Sequence, residues 1–192
     1  LYSIHFAKDK QNGFAVGSDN TILRTRDGGF RWERQEAPTD VTYSGVWARD
    51  AETAIAVGSR GTIVSTINGG KDWKRVAVDA RDHFYSIAFA GTDANVGWIT
   101  GTYGRILKTT DGGTTWTVNQ IANTNRFMRG LVCTDINHCW ISGASTNKIM
   151  YTADGGVTWQ NGIIANNAWN GWLWSAGWTG TGTTVLTGTT GY

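Results

Sequence analysis

An all-β fold of repeated four-stranded sheets is predicted by three observations. The composition is rich in glycine and tryptophan, one motif returns every 41–43 residues, and short apolar strands flank each copy in the same order. Of 192 residues, 26 are glycine and 11 tryptophan, while proline occurs once. That profile favours short strands joined by tight turns, and no segment holds a helical period over a useful length.

The motif is Thr25-Arg26-Asp27-Gly28-Gly29-Phe30-Arg31-Trp32. It returns with its tryptophan at Trp73, Trp116 and Trp159, at spacings of 41, 43 and 43 residues. Each copy is preceded by a first strand (Tyr2 to Phe6, Tyr43 to Trp47, Tyr85 to Phe89, Met128 to Val132). A second strand ends in glycine: Phe14 to Gly17, Ile55 to Gly58, Trp98 to Gly101, Trp140 to Gly143. The third is short and alternating (Thr21 to Thr25, Thr62 to Thr66, Arg105 to Thr109, Lys148 to Thr152), and the fourth begins near the tryptophan. Four short strands per unit of roughly 40 residues describe a β-propeller blade.

The units fall at about 1–40, 41–82, 83–125, 126–168 and 169–192. The last shows only a first strand, Trp174 to Trp178, and a second, Thr183 to Gly188. The expected fold is an all-β propeller of four complete antiparallel blades and a partial fifth. This reads as a piece of a larger or composite ring whose fifth blade another chain would complete.

Within the pattern Ser/Thr-x-Asp-x-Gly-x-Thr-Trp, known as the Asp-box, the acid is expected to bond backbone amides of its own turn. Asp27, Asp111 and Asp154 hold that place, and Asn68 can accept the same bonds in the second copy. Trp32, Trp73, Trp116 and Trp159 are expected to cover the hairpin base and seal neighbouring blades. Copies on different blades cannot converge on one site, so these residues read as structural rather than catalytic or calcium-binding.

The stretch Gly97-Trp98-Ile99-Thr100-Gly101-Thr102-Tyr103-Gly104-Arg105-Ile106-Leu107-Lys108-Thr109-Thr110-Asp111-Gly112-Gly113-Thr114-Thr115-Trp116 resembles a repeat of the photosystem II stability/assembly factor family. Gly13 to Trp32 resembles it too, and the likeness runs unit by unit along the chain. It implies an extracytoplasmic propeller, in the thylakoid lumen or periplasm or secreted. Its role would be to assist assembly of membrane complexes without enzymatic activity, and its ring would have roughly seven blades, within the range propellers show. The same BNR/Asp-box repeat occurs in sialidases and xyloglucanases, so a carbohydrate-active or sugar-binding propeller is the alternative.

A net charge of +2 gives no footprint for nucleic acid, and no apolar run is long enough for membrane insertion. No phosphate loop or zinc spacing is present, so no cofactor or metal is expected. Cys133 and Cys139 flank a hairpin turn and are expected to form a disulfide, which implies an oxidising compartment. A glycosidase needs two carboxyls across a cleft; Asp40 and Asp82 are the pair on one rim. Around Trp169-Asn170-Gly171-Trp172-Leu173-Trp174, core packing is the better expectation for Trp174, while Trp169 and Trp172 are open to a contact role. The loops before each first strand and after each second strand vary between repeats. They collect Asp40, Arg60, Arg81, Asp82, His83, Tyr103, Asn125, Arg126 and Trp172, the expected surface for a protein partner such as a membrane-complex subunit.

Overall fold

A computed structural model describes residues 1–91, 93–121, 127–144, 149–162, 172–178 and 184–189. The first sheet consists of β1 (Ser3–Phe6), β2 (Gly13–Val16), β3 (Ile22–Thr25) and β4 (Glu33–Arg34). The second holds β5 (Tyr43–Ala48), β6 (Ala54–Gly58), β7 (Thr62–Thr66) and β8 (Lys74–Arg75). The third holds β9 (Phe84–Ala90), β10 (Asp93–Gly101), β11 (Arg105–Thr109) and β12 (Thr117–Gln120). The fourth holds β13 (Phe127–Cys133), β14 (Cys139–Ala144), β15 (Ile149–Thr152) and β16 (Gln160–Asn161). Each is an antiparallel meander in sequence order, and β17 (Trp172–Trp178) pairs with β18 (Thr184–Thr189) in a fifth unit. The first strands β1, β5, β9, β13 and β17 pack on one another in succession around an axis. This is the propeller architecture the repeat predicts. No helix among the described residues is long and apolar enough to cross a membrane.

The core lies between sheets rather than within any one of them. Phe14, Val16 and Ile22 of the first blade pack with Tyr43, Val46 and Trp73 of the second. Ile55, Val57 and Ile63 meet Phe84, Ile99, Leu107 and Trp116 of the third, whose Trp98 and Ile106 meet Met128, Ile141 and Met150 of the fourth. A blade alone would leave both apolar faces wet; stacking buries them.

The Asp-box turns repeat one hydrogen-bond pattern. The carboxylates of Asp27, Asp111 and Asp154 each accept the backbone N–H four residues on, at 2.9 Å, and Asn68 does the same at 3.0 Å. The threonine two residues earlier donates to the same oxygen and accepts from the second glycine, as Thr109 does from the Gly113 N–H at 2.9 Å. Both glycines have positive φ (Gly112 73°, Gly113 88°), where a β-carbon is disfavoured. One on Gly113 would also stand 2.3 Å from the Ile55 side chain of the preceding blade. Two box tryptophans cross the seams: Trp73 meets the Phe14 ring edge-on at 5.6 Å, and Trp116 packs with Ile55 and Val57 of the preceding blade, whereas Trp32 packs on Phe6 of its own blade.

Two polar latches also cross the seams. The buried Arg24 guanidinium donates to the carbonyls of Gly69 and Ala51, and Lys108 Nζ donates to Gly155 at 2.6 Å. Both reach from a third strand to the next blade's box or its neighbouring hairpin. Cys133 and Cys139 stand opposite each other in the β13–β14 ladder and are disulfide-bonded, with Cα atoms 4.1 Å apart. The closed loop is short, so the bond contributes only about 2 kcal/mol.

Acid should unfold this protein in two stages. His5 Nδ1 accepts the Ala48 N–H at 3.1 Å, and burial holds its pKa below the ordinary imidazole value. Burial also lowers the pKa of His83, with Arg129 adding to the effect. A lowered folded pKa means both contribute stability above about pH 6.5 that is lost as pH falls through the folded values. Asp111 and Asp154 are held down to about 2, chiefly by the hydroxyls and N–H groups of Thr115 and Thr158. Their contribution is present above about pH 4 and is lost on approach to pH 2. Melting temperatures across pH should show both declines. His5→Asn keeps an acceptor for Ala48 and should flatten most of the first.

Candidate functional site

One irregularity of the strand pairing is repeated in four units. Tyr43 faces Gly58 and Gly45 faces Val57, leaving Ser44 as an extra residue on β5. Phe84 and Ser86 likewise straddle Tyr85, Met128 and Gly130 straddle Arg129, and Leu173 and Ser175 straddle Trp174. A β-bulge frees one side chain from the alternation and re-aims it. Ser44, Tyr85, Arg129 and Trp174 all line one axial cavity of about 560 Å³, joined by His83 and by Tyr2 and Ser3 of the first unit. Gly130 follows the bulge because β17 passes close: a β-carbon there would lie 2.7 Å from the Ala176 nitrogen.

Arg129 is the centre of this cavity. Its guanidinium carbon lies 4.7 Å from the Tyr85 ring centre and 4.5 Å from that of Trp174, both within cation–π range. Its Nε is shut from solvent without a hydrogen-bond partner, and among the described residues no carboxylate pairs with it. His83 stacks on Tyr85 at 4.5 Å, and its Nε2 shares a 2.8 Å hydrogen bond with Ser44 Oγ. Burial raises the Tyr85 pKa, which keeps the phenol neutral. The arrangement presents one fixed cation, hydroxyl donors and aromatic walls, the means to hold a carboxylate beside an apolar side chain.

The rim above it carries most of the residues the sequence singled out. Asp40, Arg60 and Arg81 are exposed, and Tyr103 is 56% exposed. Arg60 and Tyr103 occupy the same place in two-residue turns, at φ of 58° and 56°, each followed by a positive-φ glycine. A non-glycine residue in that region is strained. Thr102 N–H donates to His83 O, and Gly61 N–H donates to Asp82 O. The two loop sets therefore meet at one end. The Asp-box turns bond instead to the hairpins between first and second strands, through Gly28 to Gln11, Gly69 to Glu52, Gly112 to Asn95 and Gly155 to Asn137.

Asp82 is not a free acid, for its carboxylate takes a 2.8 Å hydrogen bond from Arg105 Nε. Asn125 and Arg126 lie outside the described residues. Trp172 opens β17, and its side chain lies outside them too. Trp174 corrects the expected core role: it is 42% exposed, whereas Leu173 is buried. The register places Leu173 and Phe84, rather than Trp174 and Tyr85, opposite the closing glycines Gly188 and Gly101. Sequence reasoning also passed over Arg129 as an anchor. Once the strands are aligned through their bulges, it stands in a column with Ser44, Tyr85 and Trp174 as the one cation.

The family model for photosynthesis system II assembly factor YCF48 matches residues 1–82 and 71–168. The chain belongs to that family. No curated protein matches the sequence. Among known structures, YCF48 bound to D1 peptide is similar at a TM-score of 0.53 and 15% identity, over 99% of this chain and 90% of the other. YCF48 from Cyanidioschyzon merolae is similar at 0.50 and 16%, over 99% and 93%. An ancestral GH74 enzyme gives a TM-score of 0.71 at 14% identity, over 85% of this chain but 24% of the enzyme. At such identities these likenesses speak for the fold, and the YCF48-type repeat accounts for the chain from its first blade through its fourth.

Proposed function

We propose that this YCF48-family propeller is a non-catalytic protein-binding module that seats a carboxylate-bearing segment of a membrane-complex subunit on Arg129. The half-buried guanidinium between Tyr85 and Trp174 carries the reading: its Nε has no hydrogen-bond partner, no carboxylate among the described residues pairs with it, and the groups around it can donate to an anion. A related YCF48 is seen with a D1 peptide bound, which supports a peptide as the occupant. Arg60 and Arg81 on the rim would steer the approach of an acidic partner, with Arg126 a third candidate. The disulfide supports a site of action outside the cytoplasm, in a lumen, a periplasm or a secreted setting.

A glycosidase reading has little to stand on. Asp82 is engaged by Arg105, and Asp40 stands exposed on the rim a blade away. Calorimetric titration with an acidic peptide bearing a free C-terminal carboxylate, in parallel with β-glucan oligosaccharides, separates the two. Peptide binding without sugar binding is expected. Binding of the oligosaccharides with release of reducing ends would reverse the conclusion.

A further inference from the structure

Resting on that reading, we infer that His83 is a second anchor of the axial site, and that the carboxylate ligand binds together with a proton taken up by its imidazole. His83 and Arg129 share Tyr85 as a neighbour, the ring at 4.5 Å and the guanidinium at 4.7 Å. A carboxylate on Arg129 therefore lies within Coulombic reach of the imidazole. In the free protein the second positive charge is disfavoured, first by burial and then by Arg129. An arriving anion removes both objections, because it neutralises Arg129 and attracts the imidazolium.

The hydrogen bond to Ser44 fits either state of the ring. Neutral Nε2 can accept from the Ser44 hydroxyl; protonated Nε2 donates to it at the same 2.8 Å. In the second case the intact Ser44 O–H is free to turn into the cavity and donate to the carboxylate. Protonation thus adds a charge and a donor in one step.

The other groups around His83 do not compete for this role. Asp82 is held by Arg105 of β11, and Arg81 and Tyr103 sit on the exposed rim. Asp79 is exposed on the same rim loop as Arg81. Tyr85 of β9 has its pKa raised and stays neutral, and Tyr2, just before β1, also lines the cavity. Ser44 of β5, Arg129 of β13 and Trp174 of β17 complete the shell.

The sign follows from linkage. A ligand that raises the His83 pKa binds more tightly as pH falls, from the complex's pKa down to that of the free protein, and levels off below. An opposite charge at this range moves a pKa by about one unit or more, which is a tenfold gain in affinity. Affinity should therefore rise about tenfold in all as pH falls past the pKa of the complex and then past the lower pKa of free His83. The peptide's own carboxylates, with pKa values near 4, stay ionised over that range.

The experiment is calorimetry of a synthetic peptide with two glutamates and a free C-terminal carboxylate, in buffers of different ionisation heat. Wild type should take up roughly half a proton per peptide between the two pKa values. His83→Gln should bind with no uptake and no pH dependence over the same range. Ser44→Ala keeps the imidazole but not its partner, and should move the pH midpoint. It serves as the second variant if His83→Gln melts early. Arg129-dependent binding without proton uptake would overturn the role of His83 and leave the proposed function standing. Uptake that persists in His83→Gln would overturn it as well. A peptide that does not bind, or binds equally to Arg129→Gln, would sink the carboxylate reading and this inference together.

Discussion

Replacing Trp116 by alanine is expected to lower stability by about 3–5 kcal/mol, the cost of removing a buried tryptophan. The indole is 8% exposed and lies at the seam of two blades, among Ile55 and Val57 of the second and Phe89 and Leu107 of the third. Phe89 meets it edge-on at 6.1 Å, and its Nε1 is bonded to Gly113. Truncation therefore opens a cavity in a core that two sheets share, and loosens a box turn as well. Asp40→Ala and Arg81→Ala remove exposed rim charges and should stay within about 0.5 kcal/mol of wild type. Denaturant unfolding of the three variants checks the contrast. Equal midpoints would contradict the division into seam and rim.

Arg129→Gln is expected to weaken capture of the acidic peptide about thirtyfold or more, since truncating one partner of a charge pair that the bound peptide covers costs at least about 2 kcal/mol. Lysine at this position keeps the charge but not the planar fork that lies against Tyr85 and Trp174, so Arg129→Lys should fall between. Arg60 and Arg81 differ in kind. As exposed rim charges they should act on the association rate and its salt dependence more than on dissociation. Binding kinetics at two ionic strengths separate the roles. An Arg129→Gln variant with unchanged affinity, beside a large loss from reversing Arg60 and Arg81, would move the working site from the cavity to the rim.

The repeat made the blades and their box turns legible because those features are local. A threonine, an acid or Asn68, two glycines and a tryptophan fix one turn by themselves, and the spacing of four copies fixes the rest. The axial site is not local in that way. A bulge adds one residue to a strand and shifts the alternation, so an alignment of aromatic residues put Tyr85 beside Tyr43 and gave Trp174 a buried place. Only the pairing of Phe84 with Gly101 and Leu173 with Gly188 reveals the offset. The latches of Arg24 and Lys108 leave no local signal for the same reason: the carbonyls they serve are 45 and 47 residues away, on the next blade. The cysteine pair was legible because only a five-residue turn separates its members.

The bulges have one more consequence. Ser44, Tyr85, Arg129 and Trp174 are the residues left over in the pairing register, so the ladder itself does not set their size or polarity. Fold and recognition are thereby written at separate positions, one in each of the second to fifth units. A lineage can exchange the side chain at any of them and acquire a different ligand preference while its sheets stay in register.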